Sequence, residues 1–93
     1  MHFVYILYSL KDNRLYKGST SNIAKRFLDH CNGRVPSTKN RRPLIIIHVE
    51  LFSSKREALS QERFYKNLQG GILLRQLLID KNILDDNGKL KAG

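Results

Sequence analysis

The chain has little of several things, and each shortage narrows what it can be. It has one cysteine, Cys31, so no intramolecular disulfide and no multi-thiolate zinc site is open to it, and its fold does not depend on an oxidising compartment. A cytoplasmic setting is the default expectation. No apolar run approaches the roughly 20 residues that a membrane-spanning helix needs. Residues Met1 to Leu10 lack the basic start, long apolar stretch and cleavage site of a secretory leader, so no membrane partner is expected. Prolines number two, Pro36 and Pro43, and both fall in one polar, basic segment that reads as a connecting loop. There is no internal repeat and no low-complexity tract. Acidic residues are scarce as well: 8 Asp and Glu stand against 17 Lys and Arg, a formal charge of +9.

That imbalance favours a polyanionic partner through counterion release and electrostatic steering, and nucleic acid leads that class. Charge alone is equally compatible with a basic protein that performs no chemistry. At 93 residues and 41% hydrophobic composition, the chain suits one domain with a single core. The expected boundaries are residues 1–84 for that domain and 85–93 for a flexible C-terminal tail, because Asp85-Asp86-Asn87-Gly88 is a turn sequence and the last residues are mostly polar.

Phe3 to Tyr8 is apolar and β-branched, Lys11-Asp12-Asn13 supplies turn chemistry, and Leu15-Tyr16-Lys17-Gly18 resumes an extended pattern, which predicts an N-terminal β-hairpin. Pleating sets Phe3, Tyr5 and Leu7 on one face and Tyr16 with Gly18 on one face, so one register makes the two tyrosines cross-strand neighbours. N-cap residues at 19–22 precede Ile23, Phe27 and Cys31 at four-residue spacing, predicting a helix from about Asn22 to Asn32 with that stripe in the core. Leu44 to Phe52 reads as a third strand, buried on both faces in its first half. Ser54 and Glu57 fit a capping box opening a helix to about Leu68. Gly70-Gly71 is expected to break that helix before a short third one over Ile72 to Ile79. The order β-β-α-β-α-α gives an α+β domain: a small three-stranded antiparallel sheet flanked by three helices.

Glu62 is the most informative residue. It shares a helix face with Ala58, Leu59 and Tyr65, and a carboxylate there needs a salt-bridge partner, a hydrogen-bond set or a hard cation. Tyr5 and Tyr16 on a strand face are ordinary core aromatics unless a cation sits beside them, since a phenol's pKa of about 10 must fall before it acts as a base near neutrality. Arg26 and His30, four apart on the first helix, offer such a neighbour. An arginine there can also clamp a phosphate, and a histidine can pass a proton or orient another group.

The combination Phe3-Val4-Tyr5, then Tyr16-Lys17-Gly18, then Arg26, His30 and Glu62 on successive elements, resembles the GIY-YIG nuclease family. The likeness is greatest to its small stand-alone bacterial members, which are related to the N-terminal nuclease domain of excinuclease C. It runs from Phe3 to about Ile79 and takes in Gly18-Ser19-Thr20-Ser21 and Arg41-Arg42-Pro43. Phe3 and Lys17 depart from the motif that names the family. The resemblance implies a GIY-YIG endonuclease-like fold and hydrolysis of phosphodiester bonds in DNA with one Mg2+ or Mn2+ ion. Glu62 matches the metal-binding glutamate, Arg26 the phosphate-neutralising arginine, Tyr16 the tyrosine that activates or orients water, and Tyr5 its hydrogen-bonded support; His30 stands where the family often has His or Tyr. DNA is the expected partner, with RNA left open, and a non-catalytic nucleic-acid-binding adaptor is the alternative. Lys17, Lys25, Arg34, Lys39, Arg41 and Arg42 are the basic residues expected to track a backbone, giving affinity without base reading.

Overall fold

The computed structural model describes residues 1–91. Strand β1 (His2–Ser9) pairs antiparallel with β2 (Leu15–Thr20) and with β3 (Leu44–Phe52), so the first strand is the centre of a sheet ordered β2-β1-β3. Helix α1 (Ile23–Cys31) follows β2, α2 (Lys55–Lys66) follows β3, and α3 (Leu68–Asp80) follows α2 directly. This is the α+β arrangement that the apolar patterning implies.

The centre strand is buried on both faces, and its alternation divides the core in two. Val4, Ile6 and Tyr8 pack with Ala58, Tyr65, Leu74 and Leu78 from α2 and α3, and with Leu84. Tyr5 and Leu7 face the other way, with Leu44, Ile46, Tyr16 and the α1 residues Ile23 and Phe27. The first is an aliphatic core. The second is small and ends in polar groups.

Local chemistry accounts for the helix starts. The Asn22 side chain accepts the Lys25 N–H at 3.0 Å, and the Ser54 hydroxyl accepts the Glu57 N–H at 3.2 Å. Each satisfies a backbone donor that the first turn leaves free.

Several expectations are corrected. Gly70-Gly71 does not break a helix. The elbow lies at Asn67, which ends α2 and caps α3 by accepting the Gly70 N–H at 2.7 Å. A Cβ on Gly70 would lie 1.8 Å from the Phe64 carbonyl oxygen, so the glycine serves the close approach of two helices rather than a stop. Cys31 is exposed and His30 is the buried residue of α1, because the helix is rotated so that its polar residue, not its thiol, meets the sheet. Strand β3 is an edge strand, with Leu44 buried, residues 45–48 half-buried and Val49 and Leu51 exposed. The segment between α1 and β3 also packs as well as connects: Val35 and Thr38 are buried. The tail expected from residue 85 folds back as a turn, where Leu84 bridges Leu90, and the Leu90 N–H donates to the Tyr8 hydroxyl at 3.2 Å. The last two residues of that expected tail lie outside the described ones.

Candidate active site

β1 and β2 place the two tyrosines diagonally, not directly opposite: Tyr5 pairs with Gly18 and Leu7 with Tyr16. Their ring centroids are 6.3 Å apart. Gly18 is what lets the Tyr5 phenol lie across β2, since a Cβ there would sit 2.5 Å from its oxygen. Helix α1 then brings Arg26 and His30, one turn apart, over this face. The imidazole stands edge-on to both phenols, with centroids 5.6 Å from Tyr5 and 5.0 Å from Tyr16.

His30 is completely buried and both its nitrogens are engaged: Nε2 with the Tyr5 hydroxyl at 2.9 Å, Nδ1 with the Thr38 hydroxyl at 2.8 Å. The direction of this chain follows from counting donors. Among the described residues the Tyr5 O–H has no acceptor besides His30, and the Arg26 guanidinium beside it can only donate. The Tyr5 O–H therefore donates to Nε2, Nδ1–H donates to Thr38, and the Thr38 O–H turns to the Val35 carbonyl at 3.5 Å. The reverse order would bury the Tyr5 O–H without a partner. Burial and the charge of Arg26 push the His30 pKa down to about 4, so the ring is neutral at physiological pH. Burial pushes Tyr5 up to about 12 although Arg26 pulls the other way; charge on Tyr16 and Glu62 adds to the rise. Tyr5 is thus a neutral phenol that holds its proton inward and its oxygen toward Arg26. A phenol so held is not poised to take a proton near neutrality.

Tyr16 differs. It is half-buried and stands outside the Tyr5–His30–Thr38 chain, and the charged group beside its phenol is Arg26. Glu62, on α2, acts on Tyr5 through its charge, the smallest of the influences on that phenol. Its own partner is Lys66, one turn on, with Nζ 2.5 Å from Oε2. No group of three or more His, Cys, Asp or Glu side chains arranged for a metal exists among the described residues. Glu62 would be the lone protein carboxylate of any cation held here, with Lys66 swung aside. That donor set suits a hard, largely hydrated ion such as Mg2+ and does not suit zinc.

The structure thus gathers Tyr5, Tyr16, Arg26 and His30, and Glu62 acts on Tyr5 through its charge alone. The fold disperses the basic residues expected to bind nucleic acid. Lys25 is exposed in a shallow cleft it shares with Arg26. Arg34 pairs with Asp29 at 3.2 Å, and Arg41 bonds Asp12 at 2.6 Å, holding that carboxyl down at about 2. Arg42 donates to the Lys39 and Cys31 carbonyls at 3.0 and 3.3 Å, and with Lys39 lines a cleft on the far side of the loop. Lys17 points to the α2–α3 side of the sheet, away from the tyrosines. Two residues of the site were not singled out by sequence. Lys66 was visible as the i+4 cation after Glu62, whereas nothing in a polar loop marks Thr38 as the anchor of a buried histidine.

Comparison with known proteins bears on this constellation. The family described as the GIY-YIG catalytic domain matches residues 1–71. A UPF0213 protein of Clostridium perfringens is 41% identical over 88 residues, covering 94% of this chain and 92% of that one. The UPF0213 protein YazA of Bacillus subtilis is 43% identical over 68 residues, 72% of this chain and 68% of its own. The solution structure of a UPF0213 protein from Bacillus halodurans is similar at a TM-score of 0.52 and 33% identity, over 82% of this chain and 83% of that one. Among the described residues no helix is long and apolar enough to cross a membrane.

Proposed function

Because the chain belongs to the GIY-YIG catalytic-domain family, we propose that it is a metal-dependent endonuclease that hydrolyses phosphodiester bonds in DNA with little sequence preference. One observation carries this reading: Arg26 stands beside both Tyr5 and Tyr16, over a Tyr5–His30–Thr38 chain whose hydrogen bonds are spent internally, and the charge of Glu62 acts on the same Tyr5. A site whose supporting bonds are closed and whose outward groups stay usable is arranged for chemistry rather than for packing.

The guanidinium of Arg26 would take the non-bridging oxygens of the scissile phosphate, its orientation fixed by the Tyr5 oxygen. Tyr16 would orient the attacking water through its phenol oxygen as the new O–P bond forms and the bond to the leaving sugar oxygen breaks, the water's proton passing to solvent. Glu62 would hold Mg2+ or Mn2+, which supplies charge stabilisation for the leaving oxygen and activates bound water. His30 is out of reach of substrate and acts through Tyr5. A cytoplasmic setting agrees with the free, exposed thiol of Cys31.

One observation favours the second reading, a nucleic-acid-binding adaptor without turnover: Lys66 already neutralises Glu62. Incubating the protein with labelled branched, nicked and single-stranded DNA and Mg2+ or Mn2+, alongside the Glu62→Gln and Arg26→Ala variants, separates the two. Cleavage by the wild type that both variants lose supports the nuclease. If no substrate is cut by wild type that Glu62→Gln leaves whole, the nuclease reading fails.

A further inference from the structure

On the other side of β2 from the tyrosines lies an open cleft of about 520 Å³ between the hairpin, the start of α3 and the turn after it. Three cations line it: Arg14 beside the hairpin turn, Lys17 on β2 and Arg75 on α3. No carboxylate side chain does. None of the three has an acidic partner within salt-bridge distance among the described residues, unlike Arg34, Arg41 and Lys66. Arg75 is held in place, its Nη2 donating to the Asp86 carbonyl at 3.4 Å and its guanidinium lying against the turn at Gly88. The amine of Lys17 is drawn in against Gly71, where burial and the neighbouring Lys66 lower its pKa. A cation half-removed from water with no counter-ion is a place where an anion gains most.

Along the same wall two aliphatic side chains face solvent, Leu68 at 83% exposure and Ile72 at 60%, one turn apart on the stripe of α3 that continues to Arg75. Unpaired cations interleaved with exposed aliphatic groups fit an occupant whose surface alternates phosphates with sugar and base edges. Lys66, the partner of Glu62, is also near enough for its charge to act on Lys17 in the cleft. Arg75, Leu84, Asn87 and Gly88 come from beyond residue 71, where the family match ends.

We propose that this cleft is a second DNA-binding surface, carrying the strand that runs away from the phosphate held at Arg26, with phosphates on Arg14, Lys17 and Arg75 and sugar edges on Leu68 and Ile72. The proposal rests on the reading of the adjoining site as one that acts on DNA. It moves the main DNA track from the Arg34–Arg42 loop to the α3 side of the sheet.

The test is binding of fluorescein-labelled duplex and single-stranded DNA in EDTA, followed by anisotropy over a range of KCl concentrations, so that it needs no turnover. Arg14→Gln/Arg75→Gln is compared with Arg56→Gln/Arg63→Gln, which removes equal charge from a separate surface of α2. The cleft pair should weaken binding at least about tenfold more than the control pair and flatten the log K against log[salt] slope for duplex by about two. Lys17→Gln gives an independent single-site check and should flatten it by about one. Thermal melts establish that each variant is folded. Equal losses in the cleft and control pairs, or binding that no cleft variant changes, overturns the proposal. So does Leu68→Ser/Ile72→Ser if it alters self-association in sedimentation while leaving DNA affinity untouched, since the wall is then a protein contact. Loss of cleavage in Glu62→Gln with intact binding at the cleft leaves this proposal standing. The converse leaves the nuclease reading standing without it.

Discussion

Glu50, which reaches α2 from β3, and Glu62, on α2 itself, are both partly sheltered carboxylates, and they are treated in opposite ways. Glu50, on β3, accepts hydrogen bonds from the Tyr65 hydroxyl, from His48 Nε2 at 2.8 Å and from Gln61 Nε2 at 3.1 Å. Burial alone would raise its pKa, but those three donors outweigh it and hold the pKa below the usual carboxylate range. Glu62 has, among the described residues, a single partner, a lysine that is half-exposed. A carboxylate with both oxygens engaged is part of the architecture. One left with an open oxygen and a displaceable cation is available to bind something. The same contrast separates His30 and Tyr5, whose bonds are closed, from Tyr16 and Arg26, whose groups remain usable.

Five measurements bear on this contrast. Removing the available carboxylate should have the largest functional effect: Glu62→Gln is expected to lower cleavage by about 10²-fold or more while changing urea-denaturation stability by less than about 0.5 kcal/mol. Removing the closed one should do the reverse. Glu50→Ala is expected to cost about 2–4 kcal/mol in the same denaturation assay, because it strands Tyr65, His48 and Gln61. Similar stability losses at the two positions would merge them into one class.

Acid should separate the closed groups from each other. The pKa of His30 is about 4 in the fold against 6.5 when free, so the unfolded chain binds the extra proton first. Stability is fully present above about 6.5 and declines as pH falls toward 4, by at most about 3 kcal/mol. Glu50 contributes in a lower window: its stabilisation is present above its unfolded value of 4.5 and is lost as pH falls through its depressed folded value. Wild type and His30→Gln melts from pH 8 to pH 3 should therefore converge on acidification mainly between pH 6.5 and 4.

A smaller effect tests the direction of the buried chain. Thr38→Val should cost about 1–2 kcal/mol, with Thr38→Ser recovering most of it, and the 15N shifts of wild-type His30 should show a proton on Nδ1. A proton on Nε2 would reverse the assignment of Tyr5 as donor. The smallest change is expected from Lys66→Met, within about 0.5 kcal/mol in stability, but with a lower Mn2+ concentration at half-saturation in a metal-binding titration. An unchanged midpoint would mean that Lys66 does not compete for the Glu62 carboxylate.

Much of the fold was legible because it rests on local chemistry. Helix α1 lies within its capping residues Asn22 and Asn32, and β3 spans the apolar run from Leu44 to Phe52. The errors came where one element packs on another. Gly70 reads as a breaker until the Phe64 carbonyl is seen against it. Cys31 reads as core until α1 is rotated onto the sheet. Leu59, placed on the Glu62 face by spacing, is 39% exposed, because α2 turns its Ala58 and Tyr65 edge inward. The site was legible as a set of residue types, but the clefts formed by the basic residues were not.

The β-β-α-β-α-α order, the excess of positive charge and the residues available for chemistry are all written in the linear chain, since helical period, strand alternation, capping and composition are properties of neighbours along it. Which of those residues are spent and which are free was settled only by packing in three dimensions. Whether a histidine is sealed by a threonine eight residues on, or a carboxylate is answered by three donors or one, depends on how helices are rotated against the sheet, and contacts across the whole core set that rotation.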